Sequence, residues 1–149
     1  MTLEDFVAAD RVFARAAIAN KRALLQTAAE KAAACLDLSR VEVQAALERR
    51  EELGSTGLGE GVAIPHARVK GVTRPTGLLW TLKSPIDFDA VDGARVDLVF
   101  ALIMPATSQA DHLNLLALVA RRFRDRNLVS QMRAAPDAQT LFRTFLSAP

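Results

Sequence analysis

The run VDLVFALIM, Val96 to Met104, is apolar at every position but Asp97. A strand with that pattern has no face to offer water, so it has to lie inside a sheet that is covered on both sides. As a helix the run is too short to cross a bilayer, and Pro105 ends it. A chain of 149 residues, 50% of them hydrophobic, can supply both covering layers within one domain spanning 1–149.

The flanking sequence supplies the other elements. RVFARAA, Arg11 to Ala17, places Val12 and Ala14 on one side and Phe13 and Arg15 on the other, as in a short strand. Asn20 can cap a helix from Lys21 to about Leu36, with Leu24, Leu25, Ala28, Ala32 and Leu36 on its inner face. Ser39 followed by Glu42 opens a second helix that points Val43, Ala46 and Leu47 inward and ends near Glu51. LLWTL, Leu78 to Leu82, reads as a strand, and Asp92-Gly93 marks a turn before the apolar run. Ser108 precedes an amphipathic helix with Leu113, Leu116, Ala120 and Phe123 on one face, and Asn127 and Asp137 are positioned to cap two shorter helices. Interleaved helices and strands predict an α/β fold, a mixed sheet flanked by helices on both faces.

GSTGLGEG, Gly54 to Gly61, has too much glycine for regular structure and reads as either a connector or a place where backbone approaches a ligand. No Gly-Lys-Ser/Thr follows, the GxGxxG spacing is absent, and Ser55 lies outside any GxSxG elbow, so nucleotide loops and serine hydrolases are poor fits. His66 and His112 with Asp111 lack a recognised metal-ligand spacing, so no metal and no cofactor is expected.

Charge narrows the partners. Nineteen Lys and Arg against seventeen Asp and Glu give a net +2, too little to imply nucleic acid. Arg121, Arg122, Arg124 and Arg126 suit a solvated helix terminus. Glu4, Asp5, Asp10 and Arg11 break any signal-peptide pattern, and the lone Cys35 on an Ala-rich helix reads as a buried, inert thiol. A cytoplasmic protein without membrane insertion is the expectation.

Two histidines remain as candidates for chemistry, His66 in a loop after Pro65 and His112 at a helix start. A neutral imidazole titrates near neutral pH and can accept a phosphoryl group and pass it on. Such transfer needs cations and N–H donors around the phosphoryl oxygens. Arg50, the backbone of Gly54 and Gly57, and the hydroxyls of Ser55 and Thr56 are available for that task, and a helix start beside His112 favours an anion. A surface or hydrogen-bonded histidine with no chemical role is the plain alternative.

REELGSTGLGEGVAIPHA, Arg50 to Ala67, resembles the active-site signature of the phosphotransferase-system enzyme IIA family of the fructose, mannitol and nitrogen type. SPIDFDAVDG (84–93), VDLVFALIMPA (96–106) and HLNLLALVARRFRD (112–125) resemble that family in order and spacing. Ala67 stands where glycine is common and Arg95 where proline often occurs.

The resemblance implies a phosphotransferase whose His66 is phosphorylated on Nε2 by a histidine phosphocarrier protein, with His112 and Arg50 as its partners in catalysis. It places Ser55, Thr56 and Gly57 in a loop bordering the phosphate. The nitrogen-related branch fits best, and it implies regulatory targets such as potassium-transport systems. A sugar-transport component, or a non-catalytic binding module that kept the fold, is the alternative. From these roles, the two imidazoles are expected to face each other across a depression bordered by Ser55 and Thr56. An apolar rim drawn from Leu58, Val62 and Ile64 is expected around it.

Overall fold

The computed structural model describes residues 2–107 and 109–147, so the Ser108 cap lies outside the described residues. Its frame is a six-stranded mixed sheet. The strands are β1 (Val12–Ala16), β2 (Gly57–Gly59), β3 (Val62–Ala63), β4 (His66–Val69), β5 (Thr76–Ile86) and β6 (Val96–Pro105). β5 and β6 pair antiparallel at the centre, and β1 lies parallel to β5 on one side. On the other side β3 and β4 lie end to end, both parallel to β6, and β2 pairs antiparallel with β3.

Five helices cover the two faces: α1 (Lys21–Leu36), α2 (Arg40–Glu52), α3 (Gln109–Arg124), α4 (Arg126–Ala134) and α5 (Ala138–Leu146). Alternation along β6 feeds both layers. Val99, Ala101 and Ile103 join the core under α1 and α2, while Leu98, Phe100, Leu102 and Met104 join the core under α3, α4 and α5. Phe6 and Val7, beside an N-terminal 3₁₀ turn, complete the second core. The expected fold class is thus the observed one.

Local chemistry explains most boundaries. The Asn20 side chain accepts from Ala23 N at 2.8 Å and starts α1, and Ser39 Oγ accepts from Glu42 N to start α2. Three details differ from expectation. Asp125, two positions before Asn127, caps α4 through Leu128 N at 3.1 Å. Cys35 is exposed, because the buried stripe of α1 runs through Ala28, Ala29, Ala32 and Ala33 and leaves position 35 on the outer side. Leu113 is 60% exposed rather than buried, since Leu115 and Val119 form the inner face of α3 instead.

Candidate functional site

Pro65 divides what would be one edge strand into β3 and β4. It has no N–H to donate to a ladder, so pairing with β6 is interrupted there and resumes at His66, opposite Leu102. The interruption leaves the Ile64 carbonyl free of the sheet ladder. His66, expected in a loop, instead opens β4, and its Nδ1 lies 2.8 Å from that carbonyl.

α2 packs over β4 and brings Arg50, in its last turn, to the same ring. Arg50 Nε donates to His66 Nε2 at 3.2 Å, and Nη1 donates to the Gly54 carbonyl at 2.8 Å. A guanidinium has no lone pair to offer, so Nε2 is the accepting nitrogen and the ring proton sits on Nδ1, donated to Ile64. The His66 ring is therefore neutral, with its Nε2 lone pair directed at the guanidinium.

His112 enters from the first turn of α3, on the opposite helical layer. The two imidazoles meet edge to face, with ring centroids 5.6 Å apart and planes inclined by 68°. His112 Nδ1 is buried without a hydrogen-bond partner among the described residues. Both rings line an open depression of about 620 Å³, together with Arg49, Arg50, Arg68, Glu52 and Leu53. Burial is the first cause that holds the His66 pKa below its usual value, and the Arg50 charge adds to it; the Ile64 hydrogen bond and the Glu51 charge oppose it. The His112 pKa is lowered first by burial and then by the charges of His66, Arg68 and Arg50.

The glycine loop is arranged differently from expectation. Ser55 Oγ donates to the Phe88 carbonyl at 2.6 Å, and the buried Thr56 hydroxyl donates to the Glu51 carboxylate. Neither residue lines the depression, because both hydroxyls are consumed in holding the loop to the domain. Gly57 opens β2 and lies against Ala90, where a Cβ would sit 2.9 Å from the Ala90 Cβ.

The rim differs too. Val62 and Ile64 are both 3% exposed and sit in the core beneath α3, and the depression is ringed by three arginines, with Ala46, Ala67 and the 86% exposed Leu53 as its apolar lining. Sequence reasoning also missed Glu51, a buried carboxylate beside Arg50; its signal is an acidic residue at a helix end where the dipole favours a cation.

Among the described residues no helix is long and apolar enough to cross a membrane, and no three His, Cys, Asp or Glu side chains are grouped to hold a metal ion.

Comparison with known proteins gives this geometry a family. A nitrogen regulatory protein of Bradyrhizobium diazoefficiens is 38% identical over 149 residues, covering 100% of this chain and 97% of the relative. A nitrogen regulatory protein of Klebsiella oxytoca is 41% identical over 130 residues, covering 87% of this chain and 80% of the relative. The crystal structure of nitrogen regulatory protein IIA-Ntr from Neisseria meningitidis matches with a TM-score of 0.89 at 32% identity, covering 95% of this chain and 97% of that one. The family described as phosphoenolpyruvate-dependent sugar phosphotransferase system, EIIA 2, matches residues 5–148. The chain therefore belongs to the type-2 EIIA family of the phosphoenolpyruvate-dependent phosphotransferase system.

Proposed function

We propose that His66 accepts a phosphoryl group on Nε2 from the phosphohistidine of a histidine phosphocarrier protein and passes it on. The observation that supports this most is the ring held at both nitrogens, with Nδ1–H donated to Ile64 and the Nε2 lone pair turned toward Arg50 in an open, cationic depression. In the transfer, the Nε2 lone pair forms the new P–N bond as the donor's P–N bond breaks, and the donor imidazole recovers its electron pair. The proton on Nδ1 stays in place, and the Ile64 carbonyl stabilises the positive ring that results.

Arg50 holds the resting lone pair and has to exchange that contact for one to the phosphoryl oxygens. His112, across the depression, is the second donor to those oxygens. Ser55, Thr56 and Gly57 act by shaping the loop rather than by touching the phosphoryl group. The names of the full-length relatives favour a regulatory protein of the nitrogen branch over a sugar-transport component, with a target such as a potassium-transport system responding to the phosphorylation state. A cytoplasmic location accords with that role.

Incubating the protein with phosphoenolpyruvate, purified enzyme I and phosphocarrier, followed by intact-mass measurement, tests the proposal. One acid-labile phosphoryl group is expected on the wild type and none on His66→Ala. Equal labelling of the variant, or an acid-stable product, overturns it.

A further inference from the structure

Near the depression, the buried carboxylate of Glu51 forms an ion pair with the half-buried Lys21 and hydrogen-bonds to neither imidazole. Its side chain is 5% exposed, and Oε2 lies 2.8 Å from the Lys21 ammonium in the first turn of α1. The same oxygen accepts from Thr56 N at 3.2 Å, and Oε1 accepts from the Thr56 hydroxyl. Lys21 Nζ sits 4.7 Å above the Phe88 ring and 3.4 Å from the Phe88 carbonyl, which also receives Ser55 Oγ.

Two lines of hydrogen bonds lead from this cluster to His66. In the first, the Thr56 carbonyl accepts from Ile64 N at 3.0 Å, and the Ile64 carbonyl accepts from His66 Nδ1. In the second, the Glu51 carbonyl accepts from Gly54 N at 3.1 Å, and the Gly54 carbonyl accepts from Arg50 Nη1. The Ile64 carbonyl thus depends on the residue that the Glu51 carboxylate pins, whereas the Arg50 line starts from the Glu51 main chain and is independent of that carboxylate.

A buried ion pair contributes little net stability over apolar packing, so its placement calls for a reason other than stability. A loop rich in glycine has few side chains to order it from within.

We infer that Glu51, neutralised by Lys21, is a positioning residue for phosphoryl transfer: by fixing Thr56 it sets the Ile64 carbonyl that determines the tautomer of His66. The inference rests on the reading of His66 as phosphoryl acceptor. Glu51 also raises the His66 pKa through its charge, so neutralising it is expected to lower that value further.

The test uses long-range ¹H–¹⁵N spectra of the imidazoles in the unphosphorylated full chain, together with kcat and KM for transfer from the phosphocarrier. Wild type is expected to show a single Nδ1–H tautomer of His66. Glu51→Ala is expected to mix the tautomers and to lower kcat roughly 10- to 100-fold with KM unchanged. Glu51→Gln, which can still accept from Thr56 N, is expected to recover part of the rate. If Glu51→Ala does not fold, the double variant Lys21→Met with Glu51→Met removes both charges and the acceptors for Thr56 and leaves no lone buried ion, and it is read in the same way.

A folded variant that loses only urea resistance, with wild-type tautomer and kcat, overturns the positioning role. A wild type that takes no phosphoryl group overturns the acceptor reading instead. The tautomer spectra still decide the role of Glu51 in that case.

Discussion

At the scale of single residues, Arg50 and His112 are distinguished by what each already touches. Arg50 spans two acceptors, His66 Nε2 and the Gly54 carbonyl, which a single ammonium cannot reproduce at the same spacing. Loss of one donor to the phosphoryl oxygens costs about 3 kcal/mol, roughly a hundredfold in rate. His112→Ala and Arg50→Ala are therefore expected to slow phosphorylation by that factor while leaving it detectable by intact mass, and Arg50→Lys is expected to recover only part.

The same environment sets a pH dependence. In the unfolded chain both imidazoles titrate near about 6.5, and in the folded protein both titrate lower. As pH falls through the unfolded value, the unfolded chain takes up protons that the folded protein refuses. Stability is therefore full above about pH 6.5 and is expected to decline from there down to the folded values. His66→Gln is expected to flatten part of that decline in urea titrations across the window. A decline of equal slope in the variant would contradict the assignment.

At the scale of elements, β5 and β6 show how closely the central pair is fitted. Gly77 on β5 lies against the ring of Phe100, which is fully buried under α3 and α5, and a Cβ there would overlap the ring's edge. Gly77→Ala is expected to cost about 1–3 kcal/mol in urea unfolding, because the stacked Phe100–Phe145 pair has no room to yield. This contact was not legible in the sequence, whereas the strand that makes it was: an apolar run without alternation admits one placement. Asn20 and Ser39 were legible for the same reason, since a cap acts on residues three positions away. The elements misread are those decided by distant partners. Gly57–Gly59 forms a strand because β3 offers an antiparallel edge, and Ser55 and Thr56 turn inward because Phe88 and Glu51 receive them. Of the candidate site, the residue types at 50, 66 and 112 could be read from their chemistry and from the family signature. The buried acid behind them could not be read, because its cation lies thirty positions upstream on another helix.

At the scale of the whole molecule, α2 delivers Arg50 from one side of the sheet and α3 delivers His112 from the other, with His66 on the strand β4 between them, so the depression is a seam between the two helical layers. The seam concentrates Arg49, Arg50 and Arg68 with the two imidazoles, against Glu52 as the carboxylate in its lining. Like charges held together in this way weaken the docking of the layers, and a phosphoryl group on His66 would add close to two negative charges in their midst, set against the one positive charge that the ring acquires. The phosphorylated protein is accordingly expected to resist urea better than the free one by about 1 kcal/mol at low ionic strength, the range for partly exposed charge pairs. Because the depression is open to solvent, salt should screen the gain, which is expected to shrink markedly between about 0.01 M and 1 M as the Debye length contracts from about 30 Å to about 3 Å. Paired urea titrations at mildly basic pH, where the P–N bond persists, measure both quantities. An increment that is unchanged by salt would place the phosphoryl group in a closed, desolvated site. A decrement would mean that it sits away from the arginines altogether.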